Sequence, residues 1–242
     1  MEQPQWLGVI RHGQSTGNVI AQNAETDGLE AIDIPERDAD VPLSTTGREQ
    51  AEAVGTWLSG LRPDERPEVV VVSPYLRTRQ TAELALAGTG IAAVVDERLR
   101  DRELGVLDLL TGRGVQARLP GEHARRARLG KFYYRPPGGE SWADVLLRLR
   151  ALLREVRQDH PGGRVLLFGH EATVLLVRYL AESLSEDDLM AVAHTTAVAN
   201  CSISTWHRDG DLLRPEQFNS VSHLHREGAP HTSQEDVNAE PV

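Results

Sequence analysis

Cysteine is almost absent: Cys201 is the only one in 242 residues. An internal disulfide is therefore excluded, and the chain suits a reducing compartment. No apolar run approaches the length needed to span a bilayer, so no membrane association is expected. The first residues lack a basic stretch followed by an apolar one; no secretory signal is expected, and the expected location is the cytoplasm. Positive charge is in deficit. The 26 Lys and Arg stand against 36 Asp and Glu, for a formal net charge of −10. That sign repels a phosphate backbone and argues against wholesale nucleic-acid binding. There is no internal repeat and no cluster of carboxylates, Cys or His with metal-ligand spacing, so neither metal nor cofactor is expected. The remaining composition, 40% hydrophobic and 26% charged, is ordinary. The length suits one large domain, or one domain with an insertion.

Short apolar runs alternate with helical stretches. Residues 7–10 read as a buried strand, 68–72 as a central parallel strand, and 91–95 and 165–168 as two more. Thr46 to Glu49 has the form of a capping box opening a helix to about Leu61. Ser73 and Pro74 read as the N-cap and first residue of a helix carrying Arg77. Ser141 to Asp144 caps an amphipathic helix to about Gln158. Residues 202–213, with Asp209 and Gly210 at the turn, read as an edge hairpin. Residues 19–42 are acidic, contain Gly28, Pro35 and Pro42, and read as a long loop. Residues 113–140 are rich in Arg and end in Pro136-Pro137-Gly138-Gly139; they read as an inserted helical or loop segment. The expected fold is α/β: a three-layer sandwich with a mainly parallel sheet flanked by helices. Its domain covers residues 1–225, and a polar, disordered tail follows over 226–242.

Ligands of open parallel sheets bind beyond the carboxyl ends of the strands. Arg11 and His12 follow the first strand, Arg77 lies in the helix after the second, and His170 follows the fourth. A neutral imidazole is a good nucleophile near pH 7, and guanidinium forks suit phosphate oxygens. Each residue also has a plain alternative. His170 could simply cap its helix, Arg77 could be solvated, and the charged run 96–103 could be an exposed salt-bridged connector. An Arg-His-Gly triplet alone arises by chance in about 2% of chains of this length.

Four stretches together resemble the histidine phosphatase superfamily, the phosphoglycerate-mutase-like family. They are Arg11 to Asn18, Leu43 to Ala51, Ser73 to Ala82, and Phe168-Gly169-His170. The resemblance spans roughly residues 5–205, with 113–140 as a variable insertion. It implies that His12 is transiently phosphorylated while Arg11, Arg77 and His170, helped by Asn18, hold the phosphoryl oxygens. Ser15, Glu103 and Glu171 join Asn18 as candidate substrate-binding residues. The implied general acid lies four residues before Gly105, at Asp101, with Glu103 as the alternative. Gln14 stands where Glu is common, Glu171 where a small residue is common, and residues 106–111 depart from the usual aromatic and second Gly.

Three functions compete. The first is metal-independent hydrolysis of a small phosphorylated metabolite. The second is a cofactor-dependent phosphoglycerate mutase, for which Arg125, Arg126, Arg128, Lys131 and Arg135 could form a second anion site, if they do not simply line a solvated helix face. The third is a non-catalytic phosphate-binding module. Oligomeric state is not legible. His123, His160, His207, His223, His225 and His231 receive no role; His194 and Asn200 could border the pocket.

Overall fold

A computed structural model describes residues 2–233. Six strands form one sheet: β1 (Trp6–Arg11), β2 (Val69–Val72), β3 (Ala93–Val95), β4 (Arg164–Gly169), β5 (Ile203–Asp209) and β6 (Leu212–Ser220). Their order is β3-β2-β4-β1-β5-β6. The first four run parallel; β5 is antiparallel to β1, and β6 to β5. The hairpin read at 202–213 is this edge pair, extended to Ser220.

Nine helices accompany the sheet among the described residues: α1 (Thr16–Thr26), α2 (Thr45–Ser59), α3 (Leu76–Leu86), α4 (Gly112–Arg118), α5 (Pro120–Tyr133), α6 (Trp142–Asp159), α7 (Glu171–Glu182), α8 (Glu186–Thr195) and α9 (Ser222–Glu227). Strand side chains alternate between faces, which sorts the core into two layers. Leu7, Val9, Val71, Val165 and Leu167 pack against Leu149 and Leu152 of α6 and Val174 to Val177 of α7. Ile10, Val70, Val72, Leu166 and Phe168 face the other way, onto Val54 of α2 and Ala82 and Ala85 of α3. The expected three-layer α/β sandwich is thus the observed architecture. The 113–140 segment is helical, as α4 and α5.

Four local expectations differ from the structure. Residues 19–42 are not loop throughout: α1 occupies the first part, burying Gly17, Ala21 and Ala24 at helical spacing. A face built of such small residues gives a weak periodic signal. The cap of α2 is Ser44, whose hydroxyl accepts from the Gly47 amide, rather than Thr46. The bridge between Ser15 and Leu43 holds the chain extended up to that residue. α3 begins at Leu76 rather than Pro74; the Ser73 hydroxyl accepts from the Tyr75 amide at 3.3 Å and bonds His170 Nε2 at 2.7 Å, so it holds the turn before the helix. Residues 226–233 are ordered: α9 reaches Glu227, and the Gln50 amide donates to Pro230 O and Thr232 Oγ1, both at 2.8 Å. Residues 234–242 of the expected tail lie outside the described residues.

Candidate active site

Strand register assembles the site. Arg11 lies opposite Gly169, and Val72 opposite Phe168. The residues that follow, His12, His170 and Ser73, therefore emerge side by side at one sheet edge. The His12 amide donates to Gly169 O at 2.9 Å. The chain then passes so close to the start of α2 that a Cβ on Gly13 would strike the Gly47 backbone, and one on Gly47 the Gln14 backbone. These two glycines let the loop carrying His12 lie directly on α2.

His12 is buried. Its Nδ1 sits 2.7 Å from Gly13 O, which only accepts, so Nδ1 carries the proton and Nε2 keeps the lone pair. Arg77 Nε donates to that Nε2 at 3.3 Å. Burial first, then the cationic field of Arg77, lowers the His12 pKa well below its ordinary value. The imidazole is neutral at pH 7 with its nucleophilic nitrogen on the guanidinium side.

Arg77 is the hub of the site. Its Nη2 donates to Asp101 Oδ2 at 2.9 Å. Its Nη1 donates to both the main-chain carbonyl and the carboxylate of Asp38, at 2.7 and 2.8 Å. Asp101 Oδ2 also lies 3.1 Å from His170 Nδ1. Burial disfavours charge on Asp101, but His170 and Arg77 outweigh it and hold its pKa well below the usual carboxylate range. His170 Nε2 lies 2.7 Å from Ser73 Oγ, and its ring centroid 5.2 Å from that of His12. Burial lowers the His170 pKa against the pull of Asp101.

A cavity of about 140 Å³ opens above these groups. Arg11, His12, Ser15, Asn18, Arg77, Asp101 and Glu171 line it. His170, which is 1% exposed, stands one layer behind and does not. Glu103 is also outside the lining; its side chain accepts from the Tyr75 hydroxyl at 3.2 Å. Ser15 and Asn18 cap α1 reciprocally: Asn18 N donates to Ser15 Oγ, and Ser15 N to Asn18 Oδ1, each at 3.0 Å. That helix start, and the start of α7 at Glu171 and Ala172, face the cavity, and helix N-termini favour anions. Arg11 Nη1 donates to Val198 O, and its Nη2 lies 4.0 Å from Glu171. Glu171 also accepts from the Val198 amide, which ties β1, α7 and the approach to β5 together. Asn200 donates to His12 O at 3.2 Å behind the site, while His194 is not part of the cavity wall.

The basic segment points elsewhere. Arg125 pairs with Glu122, Arg135 with Asp144, and Lys131 lies over the Trp142 ring. Neither these three nor Arg126 and Arg128 line the cavity.

Reading the sequence missed Asp38, Asp108 and Arg148. Asp38 lies in the short turn Asp38–Asp40 and reaches Arg77 through the path of a long loop, for which the sequence carries no local code. Asp108 shares the cavity wall with it. Arg148, on α6, donates to the carbonyls of Arg98, Arg100 and Asp101 at 2.6, 2.8 and 3.0 Å, and clasps Glu140 as well. It fixes the connector that presents Asp101.

A cation pair and a neutral imidazole, ringed by helix N-termini, can hold a tetrahedral anion beside a nucleophile. Among the described residues no three or more His, Cys, Asp or Glu side chains are grouped to hold a metal ion, and no helix is long and apolar enough to cross a membrane.

Comparison with known proteins identifies the family and the fold. Residues 7–221 match the model of the histidine phosphatase superfamily (branch 1). The chain is 30% identical over 224 residues to a glucosyl-3-phosphoglycerate phosphatase of Mycobacterium tuberculosis, covering 89% of this chain and 90% of that one. It is 29% identical over 205 residues to a phosphoglycerate mutase-like protein of Arabidopsis thaliana, covering 79% of this chain but only 62% of that longer protein. Among solved structures, the mycobacterial glucosyl-3-phosphoglycerate phosphatase complexed with VO3 superposes with a TM-score of 0.71 at 26% identity, covering 90% of this chain and 100% of that one.

Proposed function

The chain belongs to the histidine phosphatase superfamily, branch 1, and on that premise we propose that it hydrolyses a small phosphate monoester, without a metal ion, through a phosphohistidine on His12. The observation that carries this reading is the single guanidinium of Arg77, which touches both the His12 Nε2 lone pair and the Asp101 carboxylate at the floor of a cavity. A phosphoryl group bound there has a nucleophile on one side and a proton carrier on the other.

The reaction proceeds in two displacements. His12 Nε2 bonds to phosphorus as the ester P–O bond breaks, and the departing oxygen takes a proton from Asp101. Asp101 then accepts a proton from water, whose oxygen attacks phosphorus; the N–P bond breaks and neutral His12 is restored. Arg11, Arg77 and the helix starts at Ser15 and Glu171 stabilise charge on the transferring group. Each such donor lowers the barrier by roughly 2.7–4 kcal/mol. In the resting site Asp101 is ion-paired with Arg77 and ionised. Substrate oxygens take over that guanidinium, remove its hold on Asp101, and raise the carboxyl toward the protonated form that the first step requires. His170, behind Asp101 and anchored by Ser73, orients that carboxyl. A distinction from the mutase reading rests on the basic segment, whose cations line no part of the cavity.

The test is release of inorganic phosphate from p-nitrophenyl phosphate in the presence of EDTA, comparing the wild type with His12→Ala. The reading expects a loss of at least about 100-fold. Equal rates remove the nucleophile, and full dependence on added metal removes the metal-free mechanism. With 3-phosphoglycerate, isomer formation faster than phosphate release would establish the mutase instead.

A further inference from the structure

Charge in the cavity is divided. The inner end holds Arg11 and Arg77, both at most 5% exposed. Moving outward, the polar wall is carboxylate: Glu36, Asp38 and Asp108, set among apolar side chains such as Ile32 and Ile34. The third lining cation, Arg102, is buried, and its Nε donates to Glu140 O at 2.7 Å. Arg77 offers little charge outward, because its Nη1 is already bound twice by Asp38. Asp108 is not balanced by a cation: burial, then the neighbouring charge of Asp38, raises its pKa. One anion fits the inner end. A second, carried on the alcohol part of the substrate, meets like charge.

We propose that Glu36 and Asp108, on the wall beside the Arg77-paired Asp38, select against a second anion, so the substrates are monoesters whose alcohol part is neutral or cationic. This rests on the phosphatase reading above and narrows it. The wall carboxylates are exposed to solvent, so their repulsion is screened and acts only at short range, across a cavity of about 140 Å³. Specificity of this kind comes from a repulsive element as much as from attraction. It also separates this chain from enzymes that must hold a doubly anionic substrate.

The experiment compares kcat/KM for three monoesters at pH 7.5 with EDTA: glycerol 3-phosphate, 3-phosphoglycerate and phosphoethanolamine. The first two share a three-carbon skeleton and differ in a hydroxymethyl group against a carboxylate. The wild type should prefer glycerol 3-phosphate over 3-phosphoglycerate by at least about 10-fold, the scale of one screened like-charge contact. In the double variant Glu36→Gln with Asp108→Asn, the rate on 3-phosphoglycerate should rise and that on phosphoethanolamine should fall. A general folding defect would lower both. Equal wild-type rates on the first two, or a parallel change of all three in the variant, overturns the proposal. If none of the three, nor p-nitrophenyl phosphate, is hydrolysed, the phosphatase reading itself fails, and the inference with it.

Discussion

Replacing Arg148 by Met should both destabilise the fold and misplace Asp101, the proposed general acid. The guanidinium makes five hydrogen bonds at 2.6–3.1 Å, to three carbonyls of the connector and to both oxygens of Glu140. Its side chain is only 9% exposed, so solvent screening is slight. Breaking a buried ion pair from one side typically costs about 3–5 kcal/mol. Glu140 retains Arg100 as a partner at 2.6 Å, which places the expected loss toward the lower end, about 3 kcal/mol. Urea unfolding monitored by circular dichroism measures it. The second consequence is chemical. Without the clamp, the main chain at Asp101 loosens and only Arg77 and His170 hold its carboxylate, so the loss of rate should fall on alkyl phosphates, whose oxygen must be protonated as it leaves. p-Nitrophenyl phosphate, whose leaving group departs unprotonated, should be largely spared. Arg148→Lys, which supplies charge but no fork, should behave between the two. A stability loss below about 1 kcal/mol, the upper range of an ordinary surface ion pair, together with equal rate losses on both substrates, would refute the reasoning.

Three further outcomes are expected. Asp101→Asn should cost at least about 100-fold on alkyl phosphates, the scale of general acid catalysis, while Glu103→Gln should leave the rate nearly intact; kcat on glycerol 3-phosphate reads both. Stability should fall with acid below pH 6.5. Burial lowers the His223 pKa from 6.5 to about 4, so the unfolded chain binds the proton first; the stability it lends is complete above 6.5 and is lost as pH drops toward 4, amounting to about 3 kcal/mol. Burial depresses His12 and His170 in the same direction. Thermal unfolding midpoints between pH 4 and 8 check this, and a His223→Gln variant should show a shallower decline. Gly47→Ala should disturb the loop carrying His12, because the added methyl meets the Gln14 backbone rather than a flexible side chain; phosphate release and the melting temperature should both drop.

The strand ends were legible because their chemistry is local. An apolar run that stops at Arg11-His12 or at Gly169-His170 can be read without knowing the fold, and the rule for parallel sheets then joins the two. Arg77 was legible for the same reason, although the Ser73 hydroxyl before it turned out to hold His170 rather than cap a helix. Asp101 followed from the family pattern, and the geometry sets it in the cavity wall with Glu103 outside. α1 was hidden because its inward face is Gly17, Ala21 and Ala24, which scarcely differ in hydropathy from a loop. Asp38 could not be found at all. Its contact with Arg77 joins residues 39 positions apart through an irregular segment. Arg148 resembled any cation on the polar side of an amphipathic helix; its partners are main-chain carbonyls, and those leave no trace in side-chain identity.

The most direct measurement is mass spectrometry of the protein quenched during turnover in alkali, where a phosphorylated imidazole survives. The account predicts a single phosphoryl group on His12 that appears within the first turnover, decays as substrate is exhausted, and is absent from His12→Ala. Turnover with His12 unmodified, or with the phosphoryl group on another residue, would contradict it.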